Sequence, residues 1–525
     1  MLLESIPHWI LKPALNLASK CPWANAKVNA YIINSAVDVC RHRPHPLSTV
    51  HDYVCWTSLT DQRYSARHLP PFYPMKPLPA DTQVAALFAR PAGQQRLSSK
   101  STCLFPAFAQ YLTDGFIRTR MPHTGESQDV RRQNTSNHQI DMCPLYGRNE
   151  AQTGQLRRLD ETFGNRGRLK SQTINEEEYP PFLYDSTGAA KKEFDTLDPP
   201  LGISSLDTRP NGAQLKAAVF ATGGDRVNSS PQIAMMNTLF LREHNRLAGK
   251  LEQQNPNWDD ERVFQTARNI VIVLFIKLVV EEYINHILPL PFRLFTDPSM
   301  AWNAPWNKPN WITTEFSLLY RWHSLIPDAM RWGPTNYPAQ NTILNNIVLF
   351  NNGLARSFLD LSEQPAGELG ALNTAAALIP IELAAINQGR VCNVPPYAAY
   401  RQYVGLPVPA KFEDVSSNPQ VVTMLKSLYA TPGDIEFYPG LFAEDILDNS
   451  PLPALILKMV AVDAFSQALT NPLLSEHVFN PGTFTPFGWQ TIADTKSLHD
   501  IVARNTTQDI GNRRVSLTQP GWKYQ

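Results

Sequence analysis

Apolar residues recur at three- and four-residue spacing over most of this chain, and the pattern predicts a protein built mainly of α-helix. Ahead of residue 45, Trp9, Ile10, Leu11, Leu15 and Leu17 form one apolar group. Val28, Tyr31, Ile32, Ile33, Ala36, Val37 and Val39 form a second. Residues 70–100 read as a Pro-rich loop, and helical spacing returns over Thr102–Arg118. A polar loop follows over 119–145. The second half of 220–252 is a long amphipathic helix, and another helix is predicted over 262–298. The most apolar run in that second helix, Ile270–Val280, carries Lys277. It is shorter than the roughly 20 residues that a membrane-crossing helix needs. A last signal, TEFSLLYRWHSLIPD over 314–328, predicts a helix that stops at Pro327. No internal repeat, Gly-rich phosphate loop or low-complexity tract breaks the pattern.

Composition narrows the class. The chain has 525 residues, 43% of them hydrophobic, which is enough for a large core. Its formal net charge is zero and its pI about 7.2, so the basic excess of a nucleic-acid partner is missing. The six cysteines (Cys21, Cys40, Cys55, Cys103, Cys143 and Cys392) show no CxxC spacing. They argue against a structural zinc site and against a disulfide-dense module, and reduced thiols are the simplest reading. The first twenty residues, with Glu4 early, do not read as a secretory signal. The expected location is cytoplasmic or peripheral to a membrane.

Candidate chemistry enters at 314–328. Tyr320 and His323 are three residues apart, which on a helix puts them on one face about 4.5 Å apart along the axis. Leu318, Leu319, Trp322 and Leu325 surround them with apolar bulk. A histidine so placed is able to ligate a metal or haem iron through a neutral ring nitrogen. The same spacing also describes a buried Tyr and His that merely hydrogen-bond to backbone. Spacing alone leaves both readings open.

EFSLLYRWHSLIPD resembles the proximal-histidine segment of the animal-type haem peroxidase superfamily, in particular its cyclooxygenase branch. Further matching segments follow in the family's order from about His51 to about Gly482, among them HDYVCWTSLTDQRYSARHLPP, LREHNRLA and EFYPGLFAEDI. The resemblance implies a haem peroxidase-like fold over 46–525. It is preceded by an amphipathic lead over 1–45 that either touches a membrane or packs on the domain. The disulfide module of the animal enzymes is absent.

By resemblance, His323 is the axial ligand of haem iron, Trp322 lies beside the haem, and Tyr320 is the radical-bearing tyrosine. Tyr283 falls on the tyrosine that hydrogen-bonds to it. On the distal side Gln110 matches, but Asp114 stands where the family has its distal histidine. A carboxyl moves protons at neutral pH only if burial raises its pKa. Arg226, sixteen residues before Arg242, matches the distal arginine of the peroxidase branch. Ser229 and Thr113 occupy the positions where some relatives esterify the haem, so non-covalent haem b is implied. Gly115, Asp141 and Cys143 replace a calcium loop with too few oxygens for a six-ligand site, so no calcium is expected. An asparagine that would hold the proximal histidine is expected near Ala385, with Asn387 a weaker choice. Leu290 replaces a tyrosine of the substrate carboxylate clamp, whose arginine matches only loosely to Arg41 or Arg43. Ser466 or Ala464 takes the place of the serine acetylated by aspirin.

The implied activity is a tyrosyl-radical dioxygenase. It would abstract hydrogen from an unsaturated fatty acid, add O2 and release a fatty-acid hydroperoxide. A small-donor peroxidase using Gln110, Asp114 and Arg226, or a non-catalytic haem or lipid carrier, are the alternatives.

Overall fold

The structure is a computed structural model and describes residues 7–39, 63–308, 311–506 and 510–524. Arg41 and Arg43 lie outside the described residues, as does most of the HDYVCW segment. About half of the chain is helical. Among the described residues the sheets are three antiparallel two-stranded ladders, with isolated bridges besides.

Two helices lead the chain: α1 (His8–Ala18) and α2 (Pro22–Val37). Leu11, Leu15, Ile32, Ile33 and Val37 are buried, so the lead is joined to the main core. Ile10, Leu17, Trp23 and Tyr31 of the same helices stay exposed, with Trp23 at 72%.

Strand β1 (Leu97–Thr102) runs into α3 (Leu104–Asp114), the helix predicted over Thr102–Arg118. Then come the two long helices, α4 (Pro231–Gln254) and α5 (Asp260–Leu278), which pack against one another. The helix predicted over 262–298 is shorter and not uniform. After Leu278 the ladder widens into a π turn, Val279–Ile284, and helix resumes only for Asn285–Ile287. Leu288 is extended (φ −63°, ψ 128°), as the residue before Pro289 is biased to be. The whole rod from Asp260 to Ile287 is 28 residues long, with a window of mean hydropathy 1.9. By length and composition it is able to cross a membrane, but 78% of that window is buried inside the protein, where it forms the centre of the core.

The predicted helix over 314–328 is broken. Helix α6 covers only Thr314–Leu319, capped by the Thr313 hydroxyl, which accepts from the Phe316 N–H at 3.0 Å. Tyr320 (φ −98°, ψ 23°) and Trp322 (φ −89°, ψ 46°) leave the helical region, and a short 3-10 turn follows at His323–Leu325. Packing accounts for the break. The Tyr320 and Trp322 rings stack, with centroids 4.8 Å apart and planes 23° apart. Side chains two residues apart on a helix do not face each other.

Strand β2 (Pro365–Gly367) pairs with β1, and α7 (Ile379–Val391), α8 (Phe437–Ala443) and α9 (Ala454–Leu469) complete the surroundings of the bend. Helix α9 packs on both α2 and α6. A Cβ on Gly367 would lie 2.1 Å from the Ser324 carbonyl oxygen, so only glycine lets β2 run this close to the 323–325 turn. The tail returns to the start of the domain. The Thr102 N–H donates to Leu517 O at 2.9 Å, and His286 joins Ser101 (2.8 Å) to Thr518 (2.8 Å).

Candidate active site

A cavity of about 590 Å³ opens between α3, the 320–328 segment and the first turns of α7. Gln110, Asp114, Arg226, Tyr320, Trp322 and His323 all line it. Six side chains singled out in the sequence, from three separate stretches of chain, therefore meet in one place.

The tyrosine pair is the most closely defined part. Tyr283, carried by the π turn, donates its hydroxyl to Tyr320 Oη at 3.2 Å. Inserted π turns recur at functional sites because the extra residue re-aims a side chain. Burial pushes the Tyr320 phenol well above its ordinary pKa. The hydrogen bond from Tyr283 opposes that push, and the nearby Asp463 carboxylate adds to it. Tyr320 is thus a neutral phenol whose oxygen accepts from Tyr283 and whose own hydrogen is not spent in that bond. Phe316 packs edge-on against it at 4.8 Å. The stack continues from Trp322 to Phe105, at 5.4 Å and 29°.

His323 follows directly on this stack. Its backbone turn is held by several bonds: Asn373 Nδ2 to Ser324 O at 3.4 Å, the Gly370 N–H to Ser324 Oγ at 3.2 Å, and Arg90 to Ile326 O at 3.1 Å. The asparagine expected to hold the ring is not there. Asn387 points away and donates to Asp81 at 3.0 Å, and Ala385 offers only a methyl group to the cavity wall. The group that faces the ring is Glu382, whose Oε1 lies 3.1 Å from His323 Nδ1. It sits one helical turn before Ala385. A lone acid in the apolar stretch IPIELAAI was the signal for it.

On the distal side, Gln110 donates to Ser229 Oγ at 3.2 Å, and Thr113 Oγ1 turns back to Ala109 O at 3.0 Å. The Asp114 Oδ2 atom is buried with no hydrogen-bond partner. Burial raises its pKa from 3.8 to about 7, with Asp225 pushing the same way and Arg226, Gln110 and Arg321 opposing. An orphaned carboxyl oxygen at a cavity wall, a histidine on the same cavity, and two guanidiniums (Arg226 and Arg321) form a donor set that fits a flat iron-porphyrin dianion. Arg226 is not a solvated loop arginine. It bonds Asp225 at 3.1 Å and lines the cavity. Arg321, which the sequence did not single out, is half-buried, with its Nε enclosed. Burial and Arg226 together pull its pKa down to about 10.

The remaining candidates lie apart from this cavity. Leu290 is buried in the core, and Ser466 donates to the Asp463 carbonyl at 3.0 Å. Beside Ser466, Asp463 forms a buried pair with His68 at 2.9 Å, to which Thr313 adds a hydroxyl at 3.2 Å. Where relatives by resemblance have a calcium loop, the Gly115 carbonyl is taken by Ser136 (2.5 Å) and Cys143 (3.0 Å). Asp141 accepts from the Cys143 N–H at 3.0 Å.

Comparison with known proteins defines the family. The model of the family described as animal haem peroxidase matches residues 109–515, and the chain belongs to that family. Membership implies haem as the cofactor, and His323, Arg226 and Asp114 line one cavity. Prostaglandin G/H synthase 2 of Equus caballus is 28% identical over 512 residues, covering 95% of this chain and 80% of that protein. Among solved structures, the fatty acid alpha-dioxygenase of Arabidopsis thaliana superposes with a TM-score of 0.71 at 15% identity, covering 99% of this chain and 95% of that one. A Tyr-to-Phe variant of the Oryza sativa fatty acid alpha-dioxygenase, solved with palmitic acid, gives 0.69 at 16% identity, with 96% and 95% covered. At such identities the structural likeness concerns the fold.

Proposed function

We propose that this chain is a haem-dependent fatty-acid dioxygenase working through a radical on Tyr320. The observation that carries the reading is the Tyr283–Tyr320 pair at 3.2 Å, set next to Trp322 and His323. Haem held by His323 supplies the oxidising equivalent when it meets a peroxide. Tyr320, once it has lost its hydrogen atom, takes one from a C–H bond of the fatty-acid chain, so that its O–H bond re-forms and a carbon radical remains. O2 adds to that carbon. The resulting peroxyl radical takes the hydrogen atom back from Tyr320 and leaves as the hydroperoxide. Tyr283 keeps a hydrogen bond on Tyr320 Oη throughout, and the buried surroundings keep Tyr320 a neutral phenol for as long as it holds the hydrogen atom. An unsaturated chain, with its weaker allylic C–H bonds, is the preferred substrate. The prostaglandin G/H synthase relatives and the palmitic acid bound by the rice dioxygenase variant both support a lipid substrate.

Haem is bound without a covalent link, because Ser229 and Thr113 carry no carboxylate to esterify. No calcium is required, because the oxygens at Gly115 and Asp141 already bond to neighbouring groups. The exposed Ile10, Leu17, Trp23 and Tyr31 support the peripheral of the two expected locations, with the lead helices resting on a membrane surface. Flotation with phosphatidylcholine vesicles, lost in a Leu17→Glu, Trp23→Glu variant, checks this.

The deciding experiment is oxygen uptake by haem-loaded protein given oleate or linoleate, for wild type and Tyr320→Phe. Uptake that vanishes in the variant while the haem spectrum stays intact establishes the radical role. Uptake unaffected by the change overturns it. A second reading is supported by Asp114, whose protonated form suits peroxide chemistry. A peroxidase of small phenolic donors would turn over guaiacol with hydrogen peroxide and be indifferent to Tyr320→Phe.

A further inference from the structure

Glu382 is 1% exposed, on the first turn of α7, in a wall of otherwise apolar residues. Burying a carboxylate is costly unless its oxygens are satisfied. Here they are. Thr374 Oγ1 donates to Oε1 at 2.9 Å, and Tyr438 Oη donates to Oε2. Both partners are donors, so the arrangement holds an acceptor, and Glu382 is built in as the anion. The Arg321 guanidinium adds its positive field to the same group.

What the anion faces is the ring of His323. Oε1 is 3.1 Å from Nδ1, yet Nδ1 has no partner in line with its N–H, and Glu382 Oε1 is the carboxylate oxygen beside it. A metal-ligating histidine nearly always passes its second nitrogen's proton to such an acceptor. That contact fixes the tautomer and raises the ring's basicity. Asn387, the other polar side chain on the same helix weighed for this task, is engaged with Asp81.

We propose that Glu382 is the positioning residue for His323. Its carboxylate accepts the Nδ1 proton and leaves Nε2 free for iron. It shifts negative charge onto the ring, so that the bound haem has a lower ferric/ferrous potential than an amide partner would give. Thr374 and Tyr438 share the same two oxygens and set how much of that negative charge reaches the imidazole. The inference rests on haem ligation by His323 and not on which substrate is oxidised.

The test uses haem-loaded full-length protein as wild type, Glu382→Gln and Thr374→Val. The readouts are the ferric/ferrous potential by spectroelectrochemistry and the iron–histidine stretching band of the ferrous form by resonance Raman. Glu382→Gln, which keeps the shape and removes the charge, moves the potential up and the band to lower frequency. Thr374→Val removes the donor that competes for Oε1 and moves both the other way. The proposal is overturned if both variants bind haem and neither quantity moves, or if both move in the same direction, as general loosening would produce. Should Glu382→Gln fail to hold haem, Thr374→Val decides alone: a lower potential supports the assignment and an unchanged one ends it. A His323→Ala variant with a wild-type haem spectrum would overturn the ligation itself, which separates that failure from a failure of Glu382.

Discussion

Tyr283 donates its hydroxyl to Tyr320 Oη across 3.2 Å, from a π turn to a helix end 37 residues further along the chain. The bond fixes which tyrosine carries the transferable hydrogen. Replacing Tyr283 by Phe leaves Tyr320 in place without its donor. A buried hydrogen bond of this kind is worth about 1 kcal/mol, so oxygen uptake is expected to fall several-fold and not to vanish. The tyrosyl signal in electron paramagnetic resonance should change shape, since it senses the lost proton. An unchanged spectrum and rate would show that the two rings work independently.

Asp114 gives the site a pH dependence with a defined sign. Its folded pKa of about 7 stands above the ordinary 3.8, because burial and Asp225 outweigh Arg226, Gln110 and Arg321. The protonated acid is present below pH 7 and is lost as the pH rises through it. The peroxide-dependent start of turnover should therefore slow above pH 7 in wild type. In Asp114→Asn it should lose that dependence between pH 6 and 8. For an acid whose folded pKa is raised, stability falls as pH rises from about 4 to 7. Asp114→Asn should therefore raise the melting temperature of haem-free protein at pH 8 and leave it nearly unchanged at pH 4.

The buried His68–Asp463 pair makes an asymmetric prediction. Their side chains are 0% and 6% exposed. Asp463→Ala removes one partner and leaves a buried imidazole nitrogen without its acceptor, with a cost of about 1–3 kcal/mol expected from such removals. Urea denaturation measures it. Replacing both residues by Leu and Phe should cost less than Asp463→Ala alone. A double variant at least as unstable as the single one would mean that the pair contributes through packing and not through its hydrogen bond.

Gly367 controls the histidine from outside the cavity. An alanine there would press a methyl group into the Ser324 carbonyl at 2.1 Å, and the backbone one residue from His323 would have to move. Haem titration of Gly367→Ala should show affinity reduced at least tenfold with secondary structure retained. Full affinity would mean that the turn relaxes without moving the ring.

Much of this site was legible in the sequence because the segments carrying Gln110, Arg226, Tyr283 and the 320–323 run are each short and locally specified. The bend after Leu319 was not. Helical spacing predicts a continuous helix there, and only the stacking of Trp322 on Tyr320 and Phe105, a tertiary contact, overrides it. Glu382 was missed for a related reason. The family resemblance points to Ala385, whereas the structure supplies the polar group from one turn earlier on the same face. Asp463 and His68 are 395 residues apart, and nothing local in either segment announces their pairing.

The closure of the tail onto β1 bears on how the molecule is made. The segment around Ser101 leads straight into α3, which carries Gln110 and Asp114. It is tied to Leu517 and Thr518, in the segment that follows the last helix, Leu498–Arg504. Pairings between segments so distant in sequence are slow to form, since the intervening loop must close before any contact rewards it. The bonds between β1 and the tail are therefore expected late in folding, when the distal wall is already held from its other side by the packing of α3 on α4.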